Sequence, residues 1–150
     1  VSLEAGKGYK IDVNRETDIK IPAILMEAKV AVTPMKGFTR FAGTMELSGI
    51  NTTIRKERVN AIVKAAEAYY PGLKITAAEK EAAASGMRPV SPDGLPYIGR
   101  PKAIKNLCFA TGHAMMGWSL GPATGKLISE IILNKKPSMD LSPFDPNRKF

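Results

Sequence analysis

Fourteen residues, Arg88 to Pro101, read "RPVSPDGLPYIGRP" and hold four prolines and two glycines. Proline donates no backbone hydrogen bond and fixes φ, so this segment can be neither regular helix nor central strand. It predicts a rigid, turn-rich loop. The regular elements must therefore be assigned separately on its two sides.

On the N-terminal side, "GYKIDV" (8–13) and "AILMEAKVAVTP" (23–34) alternate apolar and polar residues. Ile24, Met26, Ala28, Val30 and Val32 share one parity, which predicts a half-buried strand. "PMKG" is a turn by composition, and "FTRFAGTMEL" (38–47) reads as a second strand, giving a hairpin over 24–47. Its Arg40 and Glu46 read as solvated strand positions. From Ile54 the period changes. Val59, Ile62, Val63, Ala66, Tyr69 and Tyr70 fall on one helical face. Asn51, Thr52 or Thr53 can cap this helix, and Pro71-Gly72 ends it. The Tyr pair reads as core. "ITAAEKEAAASGMRP" (75–89) is open to both helix and strand, since alanine and glutamate favour helix and the neighbouring proline-rich loop does not.

Beyond the loop, "NLCFATG" (106–112) predicts a short buried strand, and a helix is expected from about Pro122 to Asn134, with Pro122 at its first position. The tail reads as irregular. Between strand and helix stands "GHAMMGWSLGPATGK" (112–126). It ends in Gly-Lys like a phosphate loop, but Gly121 to Gly125 encloses three residues rather than four, and Leu127 stands where a hydroxyl is required. Gly-x-Gly-x-x-Gly occurs nowhere in the chain. What remains is a helix start without an acid before Glu130, whose free N–H groups suit an electron-rich group. Gly112 and Gly117 would let a flat group approach the backbone, or would serve ordinary packing.

One cysteine, Cys108, excludes an internal disulfide framework, and a single histidine beside it excludes the usual zinc site. The metal prediction is none. The net charge of +8 is spread without any block of five cations, so a solvated basic surface and a polyanion-binding surface both fit.

"GMRPVSPDGLPYIG", followed by "NLCFATGHAMMGWSLGPATGKLISEII", resembles the C-terminal part of the D-amino-acid oxidase/glycine oxidase family, and is most similar to its D-amino-acid dehydrogenase branch. The resemblance is dense over 86–133 and looser over 7–84. It implies an α+β fold: a mostly antiparallel sheet of a substrate domain over 1–84, and a strand–turn–helix over 85–150 that completes an FAD domain. It makes the stretch before "GMRP" a strand. It also implies a fragment of a longer enzyme, because the family's N-terminal dinucleotide fingerprint is absent, and a chain that alone neither acts nor retains FAD.

The function so implied is oxidation of an amino acid, a D-amino acid by resemblance, to the imino and then keto acid with release of ammonia. The expected partners are the substrate, the rest of the parent chain, and a quinone chain or oxygen as electron acceptor. The expected location is the cytoplasm, or the inner membrane face as a peripheral protein. The resemblance brings Gly112, His113, Ala114, Met115, Met116, Gly117 and Trp118 to the isoalloxazine ring. For His113 a loop-stabilising role competes with flavin proximity, and for Trp118 a structural role competes; Met115 and Met116 also read as packing residues. Asp93-Gly94 reads first as a turn. No side chain is assigned as a catalytic acid or base. Arg88 is the substrate-binding candidate: its planar fork can hold an α-carboxylate through two parallel bonds. The competing reading is an ion pair between Arg88 and Asp93. The rival function is a basic, non-enzymatic module for nucleic acid or an anionic surface, although no nucleic acid is expected.

Overall fold

The computed structural model describes all 150 residues. They form two compact units, Lys7–Met87 and a second made of Val1–Gly6 with Arg88–Phe150. The first six residues thus fall with the C-terminal unit rather than with the rest of 1–84.

The Lys7–Met87 unit is built on a five-stranded sheet in the order β2-β3-β4-β1-β5. Its strands are β1 (Glu4–Val13), β2 (Ala23–Leu25), β3 (Val30–Met35), β4 (Phe38–Leu47) and β5 (Ala84–Val90). Two helices accompany it, α1 (Lys56–Tyr69) and α2 (Ala77–Glu81). β3 and β4 form the expected hairpin, closed by Lys36-Gly37 with Met35 opposite Phe38. The single strand expected over 23–34 is instead two strands. A turn at 26–29, with Lys29 at φ 55°, folds β2 back antiparallel on β3. Ile24 and Met26 are both exposed and Leu25 is buried, so β2 buries the opposite parity to the one predicted.

The core is Tyr9, Ile11, Val13, Val30, Val32 and Phe41 from the sheet against Val59, Ile62, Val63 and Ala66 of α1. α1 ends just before Pro71-Gly72 as predicted but starts later than expected, at Lys56, with Arg55 as N-cap and no side-chain cap in place of Asn51, Thr52 or Thr53. Tyr70 packs edge-on against Phe41 at 6.1 Å, whereas Tyr69 lies half in solvent and donates to Glu27. The ambiguous stretch holds both structures. Thr76 and Glu79 form a reciprocal capping box for α2, and β5 follows immediately.

In the second unit β6 (Tyr97–Gly99) pairs antiparallel with β7 (Phe109–Thr111). β6 lies inside the proline-rich segment, which sequence reasoning assigned wholly to loop. It fits because it is three residues long and contains no proline. The last helix, α3, spans Gly117–Ile132. It begins five residues before Pro122, which sits inside the helix and not at its first position. As the sixth helical residue it lies in the second turn, where it leaves the carbonyl of Trp118 without its intrahelical donor. A short 3-10 turn, Ser142–Phe144, interrupts the tail.

Candidate functional site

Within the second unit, two segments far apart in sequence are bridged by their backbones. Ala114 N donates to Pro89 O at 3.2 Å, and Val90 pairs with His113 as an isolated antiparallel bridge. Arg88 therefore begins a strand end whose next two residues are tied to the glycine-rich turn. The turn owes its shape to Gly112, which is left-handed at φ 82°. A Cβ there would stand 3.3 Å from both Leu3 Cδ2 and Tyr97 Cδ2. The left-handed backbone and these contacts give the glycine a role in internal packing. Ala114 is left-handed too, at φ 47°. Met116 N then donates to His113 O at 2.9 Å, and α3 starts.

The start of α3 has a Met116 N-cap without a side-chain cap and no acid in the first turn. The N–H groups of Gly117, Trp118 and Ser119 have no intrahelical acceptor by helix geometry. They form the positive pole expected from the sequence, but at Gly117–Ser119 rather than near Gly121. Unlike Gly112, Gly117 has only ordinary contact beside it, with His113 Cβ 3.5 Å from a built Cβ. Around this pole Met115, Met116 and Trp118 stand in solvent, Trp118 at 97 % exposure. Trp118 therefore supports nothing within this chain, and neither methionine is a packing residue here.

His113 turns inward. Its Nε2 lies 2.9 Å from the hydroxyl of Thr124, which is buried on α3, and burial lowers its pKa from the ordinary value. The ring thereby ties the turn to the helix.

Arg88 is half-buried and is the one arginine of seven with neither an ion pair nor a hydrogen bond. The proposed competitor, Asp93, is held by Arg148 in a two-pronged pair at 2.9 and 3.0 Å. That pairing pulls the Asp93 carboxyl down to about 2. Arg88 is thus free for a ligand.

In the Lys7–Met87 unit the sequence missed a buried ionic centre. Lys7, fully buried, gives its three ammonium protons three acceptors: Glu46 Oε1 at 2.9 Å, Asn51 Oδ1 at 2.6 Å and Thr53 O at 3.0 Å. Glu46 Oε1 also accepts from Tyr9 at 3.0 Å and Ser48 at 2.9 Å, while Arg58 Nε approaches Oε2 at 3.4 Å. The hydrogen bond from Lys7, ahead of those from Ser48 and Tyr9, holds the Glu46 carboxyl at about 2.

Glu46 is therefore not the solvated position that strand alternation predicts. Thr44, left-handed at φ 55° in mid-strand, reverses the alternation, so that Thr39, Phe41 and Glu46 are all buried. Gly43 beside it admits the carbonyl of Lys29 where a Cβ would clash. Arg40 is likewise paired, with Asp12 at 2.7 and 2.9 Å. A cavity of about 1240 Å³ opens in the same unit between Thr17, Lys20, Met35, Phe38 and Tyr70. It contains none of the predicted site residues.

The fold is shared with solved structures. The chain superposes on glycine oxidase from Geobacillus kaustophilus with a TM-score of 0.80 at 23% identity, over 99% of this chain and 40% of that one. It superposes on L-proline dehydrogenase from P. horikoshii with a TM-score of 0.82 at 19% identity, over 98% and 40%. At the level of sequence, the family described as FAD dependent oxidoreductase matches residues 2–131. The chain belongs to that family. A D-amino acid dehydrogenase from Granulibacter bethesdensis is 34% identical over 139 residues, 89% of this chain and 32% of the relative. A D-amino-acid oxidase from Bradyrhizobium diazoefficiens is 30% identical over 148 residues, 97% and 35%. The chain thus spans about a third of the length of these curated relatives. Its mixed α+β fold with a mostly antiparallel sheet is the one expected from the resemblance.

The donor set fits the family's cofactor at one end only. Three free N–H groups, an acid-free first turn and an unobstructed Gly117 suit the electron-rich edge of a flavin. Nothing in the 150 residues offers a phosphate-binding fingerprint for the adenine end.

Proposed function

We propose that this chain is the C-terminal part of an enzyme that oxidises an amino acid at Cα–N, a D-amino acid by its resemblance, and that Arg88 and the turn 112–118 form one side of its active site. The observation that carries the reading is Arg88, unpartnered, within two residues of the backbone bridge to that turn. FAD would supply the two-electron acceptor, taking the substrate's Cα hydrogen as hydride while the nitrogen lone pair forms C=N. Water then converts the imino acid to keto acid and ammonia.

The residues of this chain bind and orient. Arg88 would grip the α-carboxylate through both arms of its guanidinium, which fixes direction as well as charge. The N–H groups of Gly117–Ser119 would face the edge of the ring that gains charge on reduction. His113, neutral and tied to Thr124, would hold the turn still. In this reading residues up to about 84 serve the substrate domain, those from about 85 complete the FAD domain, and this chain alone does not keep the cofactor. The enzyme would work in the cytoplasm, or on the inner membrane face as a peripheral protein; no helix is long and apolar enough to cross a membrane.

The test is Arg88→Lys in the full-length protein. The charge stays and the fork is lost, so kcat/KM for an amino acid should fall about a hundredfold with FAD retained. An amine without a carboxylate should be much less affected. Equal losses for both substrates, or loss of flavin, would remove Arg88 from this role. Dye-linked and oxygen-consumption assays on the same enzyme separate a quinone chain from oxygen as acceptor.

A further inference from the structure

Arg148, in the C-terminal tail, uses every N–H group it has. Nε donates to Asp93 Oδ2 at 2.9 Å. Nη2 donates to Asp93 Oδ1 at 3.0 Å and to Leu95 O at 2.6 Å. Nη1 donates to Pro96 O at 3.2 Å and Asp145 O at 3.4 Å. Five donors therefore meet five acceptors, four of them on the segment 93–96. The guanidinium also lies 3.9 Å from the centre of the Tyr97 ring, and the side chain is 12% exposed. A lysine could satisfy neither the two-pronged pair nor the stack.

What Arg148 holds is the floor of the turn. Tyr97 is fully buried. Its hydroxyl donates to Ser2 O at 3.0 Å, and its backbone is registered opposite Thr111. Gly112 packs on the Tyr97 ring edge and on Pro96, as the contacts of a Cβ built there show. Contacts thus run from Arg148 to Pro96 and Tyr97, and from these to Thr111 and Gly112, where the turn 112–118 begins.

We propose that Arg148 is a positioning residue for that turn: it clamps Asp93–Tyr97 from the tail, and so sets where Gly112–Trp118 stand relative to Arg88. The role in turnover rests on the function proposed above. The clamp itself does not.

Two measurements test it. In the 150-residue chain, Arg148→Lys should move the backbone amide resonances of Thr111, Gly112, His113 and Ala114 as well as those of 91–97. Shifts confined to 91–97 and the tail would overturn the proposal, since the tail would then be fastened without reaching the turn. In the full-length enzyme, Arg148→Lys should lower kcat about tenfold with little change in KM, because misplacement affects the reacting geometry more than carboxylate binding. Arg148→Ala should lower it further and regain activity with added guanidinium ion, which can refill the space over Tyr97. A variant that loses thermal stability while kcat is unchanged, or one that guanidinium does not rescue, would reduce Arg148 to a tail anchor and overturn the proposal. If the unmodified full-length protein oxidises no amino acid, the proposed function fails, and the amide shifts still decide the clamp.

Discussion

α1 and α3 are of similar length and have opposite surfaces. α1 buries Val59, Ile62, Val63, Ala65 and Ala66 and turns Lys56, Glu57, Asn60 and Lys64 to water. α3 buries only Thr124 and Leu127, and shows water Trp118, Leu120, Pro122, Ala123 and Ile132. Its outer surface thus sets large apolar side chains beside the polar Ser119, Lys126 and Ser129. The Lys7–Met87 unit covers its own apolar stripe. α3 has the sequence of a helix that something else covers, and in the reading proposed here that cover is the remaining two-thirds of the relatives' length. Exposure on α1 is mainly that of polar side chains, whereas exposure on α3 includes large apolar ones.

The largest expected effect breaks or upholds this contrast directly. Ile62→Ala, in the centre of the α1 core, should destabilise the chain by about 2–5 kcal/mol in urea unfolding. Trp118→Ala, on the bare face of α3, should stay within about 0.5 kcal/mol, despite removing the larger side chain. If Trp118→Ala costs as much as Ile62→Ala, α3 is already covered within this chain and the contrast fails.

How much of this was legible follows the same division. α1 was readable because its apolar period is unbroken and its polar residues occupy the other face. The hairpin was readable because β3 and β4 alternate over most of their length. What was hidden arises where one residue changes the backbone. Thr44 in a left-handed conformation moves Glu46 from the water side to the core, and no pattern of residue types announces it. The break at 26–29 splits a series of five same-parity residues for the same reason. Pro122 misled because a proline usually opens a helix, whereas here it is the sixth helical residue, in the second turn. For the site, the turn and Arg88 were visible as motifs. That Asp93 belongs to Arg148 was not, because the two are 55 positions apart and only the fold joins them.

A smaller effect separates the two glycines of the turn. Gly112→Ala places a side chain in a left-handed conformation and against Leu3 and Tyr97. It should cost about 1–2 kcal/mol in this chain, measured by thermal unfolding. A neutral result would show that the turn relaxes freely and carries no fixed geometry.

Acid sharpens the comparison between the units. His113 is the only histidine, and burial lowers its pKa from 6.5. A lowered histidine stabilises the fold above its unfolded pKa, and that contribution fades as pH falls below about 6.5. Glu46 is lowered from 4.5 to about 2, so its contribution is complete above about pH 4.5 and is lost as pH falls toward 2. The protection factors of amides around 111–124 should therefore fall first, once pH drops below about 6.5, while β1 and β4 remain protected until below about pH 4.5. Simultaneous loss in both units would mean that His113 is not a stabilising neutral ring.

The smallest effect falls on Gly117, and its sign matters more than its size. The sequence suggested that this glycine either lets a flat group approach the backbone or serves ordinary packing. The backbone is helical, and the nearest atom to a built Cβ is His113 Cβ, at an ordinary 3.5 Å. Replacing a helical glycine by alanine lowers the entropy of the unfolded chain, so Gly117→Ala should stabilise this chain by about 0.4–1 kcal/mol. The methyl group would nevertheless project beside the free N–H groups of Gly117–Ser119, where a flavin edge would lie. In the full-length protein the same substitution should therefore reduce bound flavin while the unfolding temperature of the apoprotein rises. Only a ligand pressed against that position separates the two signs. If flavin content and apoprotein stability rise together, the start of α3 is an ordinary helix end and the flavin lies elsewhere.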